Sequence, residues 1–167
     1  MTVLVVGYGN PLRSDDGVGP VVADLLAADP RLAGAVVRSG HQLTPELAYD
    51  AAGARLLVLI DAADGPPAGE IGIRRIGSAS GGDGGSEETA PAGLPVGAGG
   101  PSLTHHLDPD GLLGLARALF GSAPSAVVVS IGAGSFEVGE TLTPEVAAAV
   151  PRAVEVVAAL VGEDAHA

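Results

Sequence analysis

Asp15 and Asp16 stand side by side in the run Gly7-Tyr8-Gly9-Asn10-Pro11-Leu12-Arg13-Ser14-Asp15-Asp16-Gly17-Val18-Gly19, directly behind an apolar stretch. Either acid can cap the helix that follows, an interaction worth about 1 kcal/mol. Two successive acids exceed what one cap needs, and Gly17 and Gly19 leave backbone room for a ligand to approach. Asp61 closes the most apolar run of the chain. A carboxylate at the edge of a hydrophobic sheet is costly unless it is solvated, paired or bound to a cation; capping a short turn is the plainer alternative. Asp64 lies in a turn ending Gly65-Pro66-Pro67 and reads as a solvated turn residue. His105 and His106 precede a helix, and because adjacent side chains diverge, at most one of them reaches a given site. His41 is a rival with a similar location, and His166 is discounted as part of the tail. Asp16, Asp61 and one imidazole make an O,O,N ligand set with open positions, suited to a divalent transition metal. Three ligands leave room for a substrate or for a metal that a substrate carries.

The opening of the first loop invites a dinucleotide reading, and its residues refuse it. A Gly-x-Gly-x-x-Gly fingerprint needs glycine at position 12, where Leu12 stands, and 36–40 supplies no acid for a ribose. There is no Gly-Lys-Ser/Thr, hence no P-loop. Gly9, Asn10, Asp15 and Gly17 are therefore assigned to a supporting loop around Asp16 and not to a nucleotide.

The elements that must position these residues follow from periodicity. Apolar runs predict strands at 2–6, 36–38, 55–60 and 126–131, and the weakly alternating 71–76, carrying Arg74 and Arg75, suits an exposed edge strand. Helices are predicted at 18–28, with Val18, Val21, Val22, Leu25 and Leu26 on one face, at 45–53 behind a Thr44 cap, at 109–120 behind an Asp108 cap, and at 143–161. Pro151 should kink or split the last of these. Alternating strands and helices predict an α/β layer fold with helices on both faces of a mostly parallel sheet. Ligands bind such sheets outside the carboxyl ends of the strands, at the switch in strand order. That rule singles out 7–19, 40–44, 61–64 and 132–139, joined by the segment before the helix at Pro109 if it folds over that edge.

Composition narrows the function. The 167 residues fit a single domain, 1–167, interrupted by a Gly-rich segment at 77–101 that reads as a mobile surface loop. The core must be aliphatic, because Tyr8, Tyr49, Phe120 and Phe136 are the only aromatic residues. Twenty acids against eight bases, all Arg, give a net charge of −12, which offers no footprint for nucleic acid or an anionic membrane. The absence of Cys excludes a disulfide frame, a thiolate metal site and a cysteine nucleophile. The opening shows no basic segment ahead of an apolar one, and no apolar run reaches the ~18 residues a membrane helix needs. A cytoplasmic, soluble, monomeric protein is expected.

The stretch Gly7-x-Gly9-Asn10-Pro11-Leu12-x-x-Asp15-Asp16-Gly17-x-Gly19 behind an N-terminal strand resembles the signature of the hydrogenase maturation endopeptidases. The resemblance extends through His41-Gln42-Leu43-Thr44-Pro45-Glu46-Leu47, Leu57-Val58-Leu59-Ile60-Asp61-Ala62, Ser102-Leu103-Thr104-His105 and Gly139-x-x-Leu142-Thr143-Pro144-x-Val146. It implies a three-layer α/β sandwich around a twisted five-stranded sheet with one antiparallel strand. It also implies a protease that removes the C-terminal extension of a [NiFe] hydrogenase large-subunit precursor once nickel is in place. Asp16, Asp61 and His105 then correspond to the acid, acid and histidine that contact the metal and carry the catalysis, with His106 as the competing imidazole. The nickel would be supplied by the substrate, with no organic cofactor. Other readings of the same acids are a flavodoxin-like regulatory module in which Asp15, Asp16 and Asp61 bind Mg²⁺ or accept a phosphoryl group, and a metal-dependent hydrolase of small amides. The first lacks the Lys that such receivers place opposite their acids.

Overall fold

A computed structural model describes residues 2–77 and 107–166. Its centre is a five-stranded sheet in the order β2-β1-β3-β5-β4, formed by β1 (Thr2–Tyr8), β2 (Val36–Gly40), β3 (Ala54–Ala63), β4 (Ile71–Ile76) and β5 (Ser125–Gly132). The first four in that order run parallel, and β4 pairs antiparallel with β5 at the edge. The α/β sandwich with one antiparallel edge strand is therefore as expected, and 71–76 is the edge that its arginines suggested.

Strand alternation divides the core into two layers. Val3 and Val5 of β1, Leu56, Val58 and Ile60 of β3, and Val127, Val129 and Ile131 of β5 face α1 (Val18–Ala27) and α4 (Pro144–Ala165). Leu4, Val6, Leu57, Leu59 and Val128 face α2 (Leu47–Ala52) and α3 (Pro109–Phe120). The successive buried side chains on β1, β3 and β5 explain their near-continuous apolar runs, since parallel strands are covered on both faces. The core is aliphatic as expected, with Tyr49 70% and Phe120 47% exposed.

Several boundaries differ from expectation for local reasons. β1 runs through Gly7 to Tyr8, because Gly7 and Tyr8 keep the ladder to Ser39 and Gly40 of β2. β3 likewise continues past Asp61 to Ala63, pairing Asp61 with Ser130 and Ala63 with Gly132. α2 begins at Leu47, not at Pro45; Thr44 and Pro45 form a preceding turn whose carbonyls accept the Leu47 and Ala48 amides. On α1 the buried stripe is Val18, Val22 and Leu26, whereas Val21 and Leu25 are exposed, at the flank of a helix whose contact face follows the i, i+4 row. α4 is one helix through Pro151, which lies exposed on its solvent side, where water can satisfy the carbonyl the missing N–H leaves. The expected mobile loop at 77–101 lies, apart from Gly77, outside the described residues. Among those described, no helix is long and apolar enough to cross a membrane.

Candidate functional site

The strand order switches at β1, with β2 on one side and β3 on the other. The carboxyl ends of β1 and β3 are where ligands bind in such a sheet. An open cavity of about 560 Å³ lies there, lined by residues that include Tyr8, Asn10, Arg13, Asp16, His41 and Asp61. Leu107, just before α3, also lines it.

The first loop is built to aim Asp16. Gly9, at φ +146, brings the chain so close to Asp16 that a side chain at position 9 would overlap the Asp16 carbonyl. Its amide donates to the Gly40 carbonyl at 3.1 Å, tying the loop to the end of β2. The Asn10 side chain accepts the Leu12 amide at 2.9 Å, and the Asn10 amide donates to Oδ2 of Asp16 at 2.7 Å. Residues Ser14–Gly17 form a single 3-10 turn leading into α1, and neither Asp15 nor Asp16 caps that helix. The capping role weighed for them is thus replaced by two different ones, since Asp16 turns back into the cavity and Asp15 turns into the protein.

Asp15 is fully buried and fully bonded. Its Oδ2 accepts the Gly134 amide at 2.7 Å, the Ser135 amide at 3.0 Å and the Thr143 hydroxyl at 2.8 Å, while Oδ1 accepts the Thr143 amide at 2.7 Å. Burial works to raise its pKa, but the Thr143, Gly134 and Ser135 donors outweigh it and hold the carboxyl below its usual range. The backbone continues the fastening: Ser14 donates to Gly139 and Gly139 donates to Leu12. Thr143 precedes α4 as expected, yet its hydroxyl serves Asp15 and makes no cap.

Asp61 reaches the cavity from β3. It lies one step beyond the Gly7–Ile60 pair and continues the face of Leu57 and Leu59. Tyr8, on the neighbouring strand and the same face, donates its hydroxyl to Oδ2 of Asp61 at 2.9 Å. Burial raises the Asp61 pKa; the Tyr8 bond and Arg74 oppose that, and the charge of Asp16 adds to it. The Tyr8 phenol is pushed far up by burial and by Asp61, so it stays a hydroxyl donor. Sequence reasoning passed over Tyr8; the signal was a lone phenol closing an apolar strand. Arg13 is the other residue missed. It is exposed at the cavity rim with its guanidinium 6.0 Å from the Phe136 ring.

Asp16, Asp61 and His41 are thus brought to one cavity from three strand ends. Among the described residues no three His, Asp or Glu side chains are grouped closely enough to hold a metal ion. His105 and His106 lie outside the described residues. What the arrangement supplies is two carboxylates with differently tuned surroundings, open to solvent on one side, able to contact a cation and to accept a proton from water.

No protein-family model matches the chain, and no curated protein does. Solved structures do. A hydrogenase 2 maturation peptidase from Thaumarchaeota archaeon SCGC_AB-539-E09 superposes with a TM-score of 0.66 at 23% identity, covering 97% of this chain and 99% of its own. The hydrogenase maturating endopeptidase HybD from E. coli gives 0.63 at 25% identity over 98% and 94%. The [NiFe] hydrogenase maturation protease HycI from Thermococcus kodakarensis KOD1 gives 0.64 at 21% over 96% and 92%. The fold is shared with these peptidases over nearly the whole chain.

Proposed function

We propose that this chain is a hydrogenase maturation endopeptidase, which removes the C-terminal extension of a [NiFe] hydrogenase large-subunit precursor after nickel insertion. The observation that carries the reading is the meeting of Asp16 and Asp61, from separate strands, in one open cavity at the switch point of a sheet shared with such enzymes. Asp16, Asp61 and His105 are the residues that contact the nickel, which arrives as part of the substrate and not as a resident cofactor. Oxygen and imidazole donors suit such a borderline divalent metal.

Recognition of the metal would bring the tail of the precursor over the cavity. A water molecule there attacks the scissile carbonyl, its proton passing to a carboxylate and then to the departing amine. Asp61 is placed to take part in the proton transfer, since its carboxylate lines the open cavity beside Asp16. No serine or cysteine nucleophile enters this chemistry. The protein partner is the precursor, and neither nucleic acid nor a membrane has a part.

The test is incubation with nickel-loaded and nickel-free precursor, followed by mass measurement. Loss of the C-terminal peptide from the loaded form alone is expected, and Asp61→Ala or His105→Ala should abolish it. Equal cleavage of the nickel-free precursor would remove metal recognition from the reading, and no cleavage of either would remove the reading itself.

A further inference from the structure

The two cavity carboxylates are held alike. Asp16 accepts the Asn10 amide on Oδ2 and Asp61 accepts the Tyr8 hydroxyl on Oδ2, while among the described residues neither Oδ1 accepts a hydrogen bond. The terminal torsion of an Asp side chain is broad and two-fold. A donor on one oxygen therefore fixes the plane of the carboxylate and leaves its other oxygen free to bind. For Asp16 that donor is backbone. For Asp61 it is a side chain, whose ring packs against the aliphatic layer beneath α2 and α3 and whose position follows from the β1–β3 ladder.

We infer that Tyr8 is a positioning residue: its hydroxyl pins Oδ2 of Asp61 and so presents Oδ1 as a single-oxygen ligand to the incoming metal. The identity of that metal as precursor-borne nickel rests on the proposed function, whereas the pinning does not. Tyr8 itself touches no metal and acts only through Asp61. Partners that orient a metal ligand in this way are worth about 10–100-fold in affinity.

The experiment titrates Ni²⁺ alone into the full chain and follows binding by calorimetry in four proteins: wild type, Tyr8→Phe, Asp61→Asn and the double variant. Tyr8→Phe keeps the ring and its packing, and circular dichroism confirms that each variant is folded. The expected result is affinity about 10-fold or more below wild type for Tyr8→Phe, with no further loss when Tyr8→Phe is added to Asp61→Asn. Wild-type affinity in Tyr8→Phe overturns the inference. So does an equal loss in the Asp61→Asn background, which would make Tyr8 a general structural residue, and so does a wild-type chain that binds no Ni²⁺. Processing of the nickel-loaded precursor is scored separately with the same proteins. A chain that never cleaves it, yet shows the coupled Ni²⁺ effect, sinks the protease reading and keeps the pinning. A chain that cleaves it with unchanged KM in Tyr8→Phe and no coupling does the reverse.

Discussion

Asp15 and Thr143 are joined twice, through the amide and the hydroxyl of the threonine, across 128 positions of sequence. The pair fastens the loop after β1 to the N-terminus of α4, and the Gly134 and Ser135 amides bring the loop after β5 into the same knot. Asp16 follows directly in the chain, so the direction in which it faces depends on a carboxylate that never sees the cavity. This division of labour between neighbouring acids accounts for the presence of two.

Asp15→Ala should cost about 3 kcal/mol, because it removes the buried charged acceptor of three backbone amides and a hydroxyl. Asp15→Asn keeps the shape but must turn its NH2 toward one of these N–H donors, so it too should destabilise. The depressed pKa also carries a pH signature. The folded value lies below the unfolded one, so the stabilisation is present above the unfolded pKa and is lost as pH falls through the folded value, below about 4. Urea melts from pH 7 to pH 3 would show this as a steeper acid loss in wild type than in Asp15→Asn. Parallel curves would mean that the knot carries no net stability.

Asp61 is predicted to behave in the opposite sense. Burial, with help from Asp16, holds its folded pKa above the unfolded one, against the Tyr8 bond and Arg74. Its contribution is then fullest below the unfolded pKa and is lost as pH rises through the folded value. Above the unfolded pKa the carboxyl thus costs the folded state free energy. Asp61→Asn should therefore stabilise the protein at pH 7, on the order of 1 kcal/mol, while eliminating processing, as is common where activity and stability compete. The gain should vanish near pH 3. Chemical denaturation at the two pH values checks it, and a clear loss of stability at pH 7 would contradict the account.

What the sequence made legible follows the range of the interactions involved. α3 begins where its Asp108 cap and Pro109 say and ends at Gly121, at φ +79, because capping is settled within four residues, with Asp108 accepting the Gly111 amide at 2.6 Å. That Asp16 and Asp61 lie at the carboxyl-end edge of the sheet was legible because strand ends can be read from apolar runs. Tyr8 was missed because its role exists only through the register of β1 on β3, and no local pattern reports register. The second purpose of Asp15 was signalled by its redundancy as a cap, but its partners, Gly134, Ser135 and Thr143, are set by the tertiary fold.

The histidines give the final prediction. His41 lies exposed on the cavity wall, yet among the described residues it does not complete a three-ligand cluster with Asp16 and Asp61. On the proposed reading the third ligand comes from elsewhere, and His105 is the residue that the family resemblance assigns. His41→Ala should keep Ni²⁺ affinity within about 2-fold of wild type, since an exposed residue outside the ligand set contributes little. His105→Ala should lower it by 10-fold or more, about 1.4 kcal/mol, and His106→Ala should resemble His41→Ala. Calorimetric titration of the three variants decides the order, with precursor cleavage expected to follow it. If His41→Ala proves the most damaging, the imidazole is supplied from the end of β2, and the ligand set must be redrawn around the loop that also carries Gln42 and Leu43.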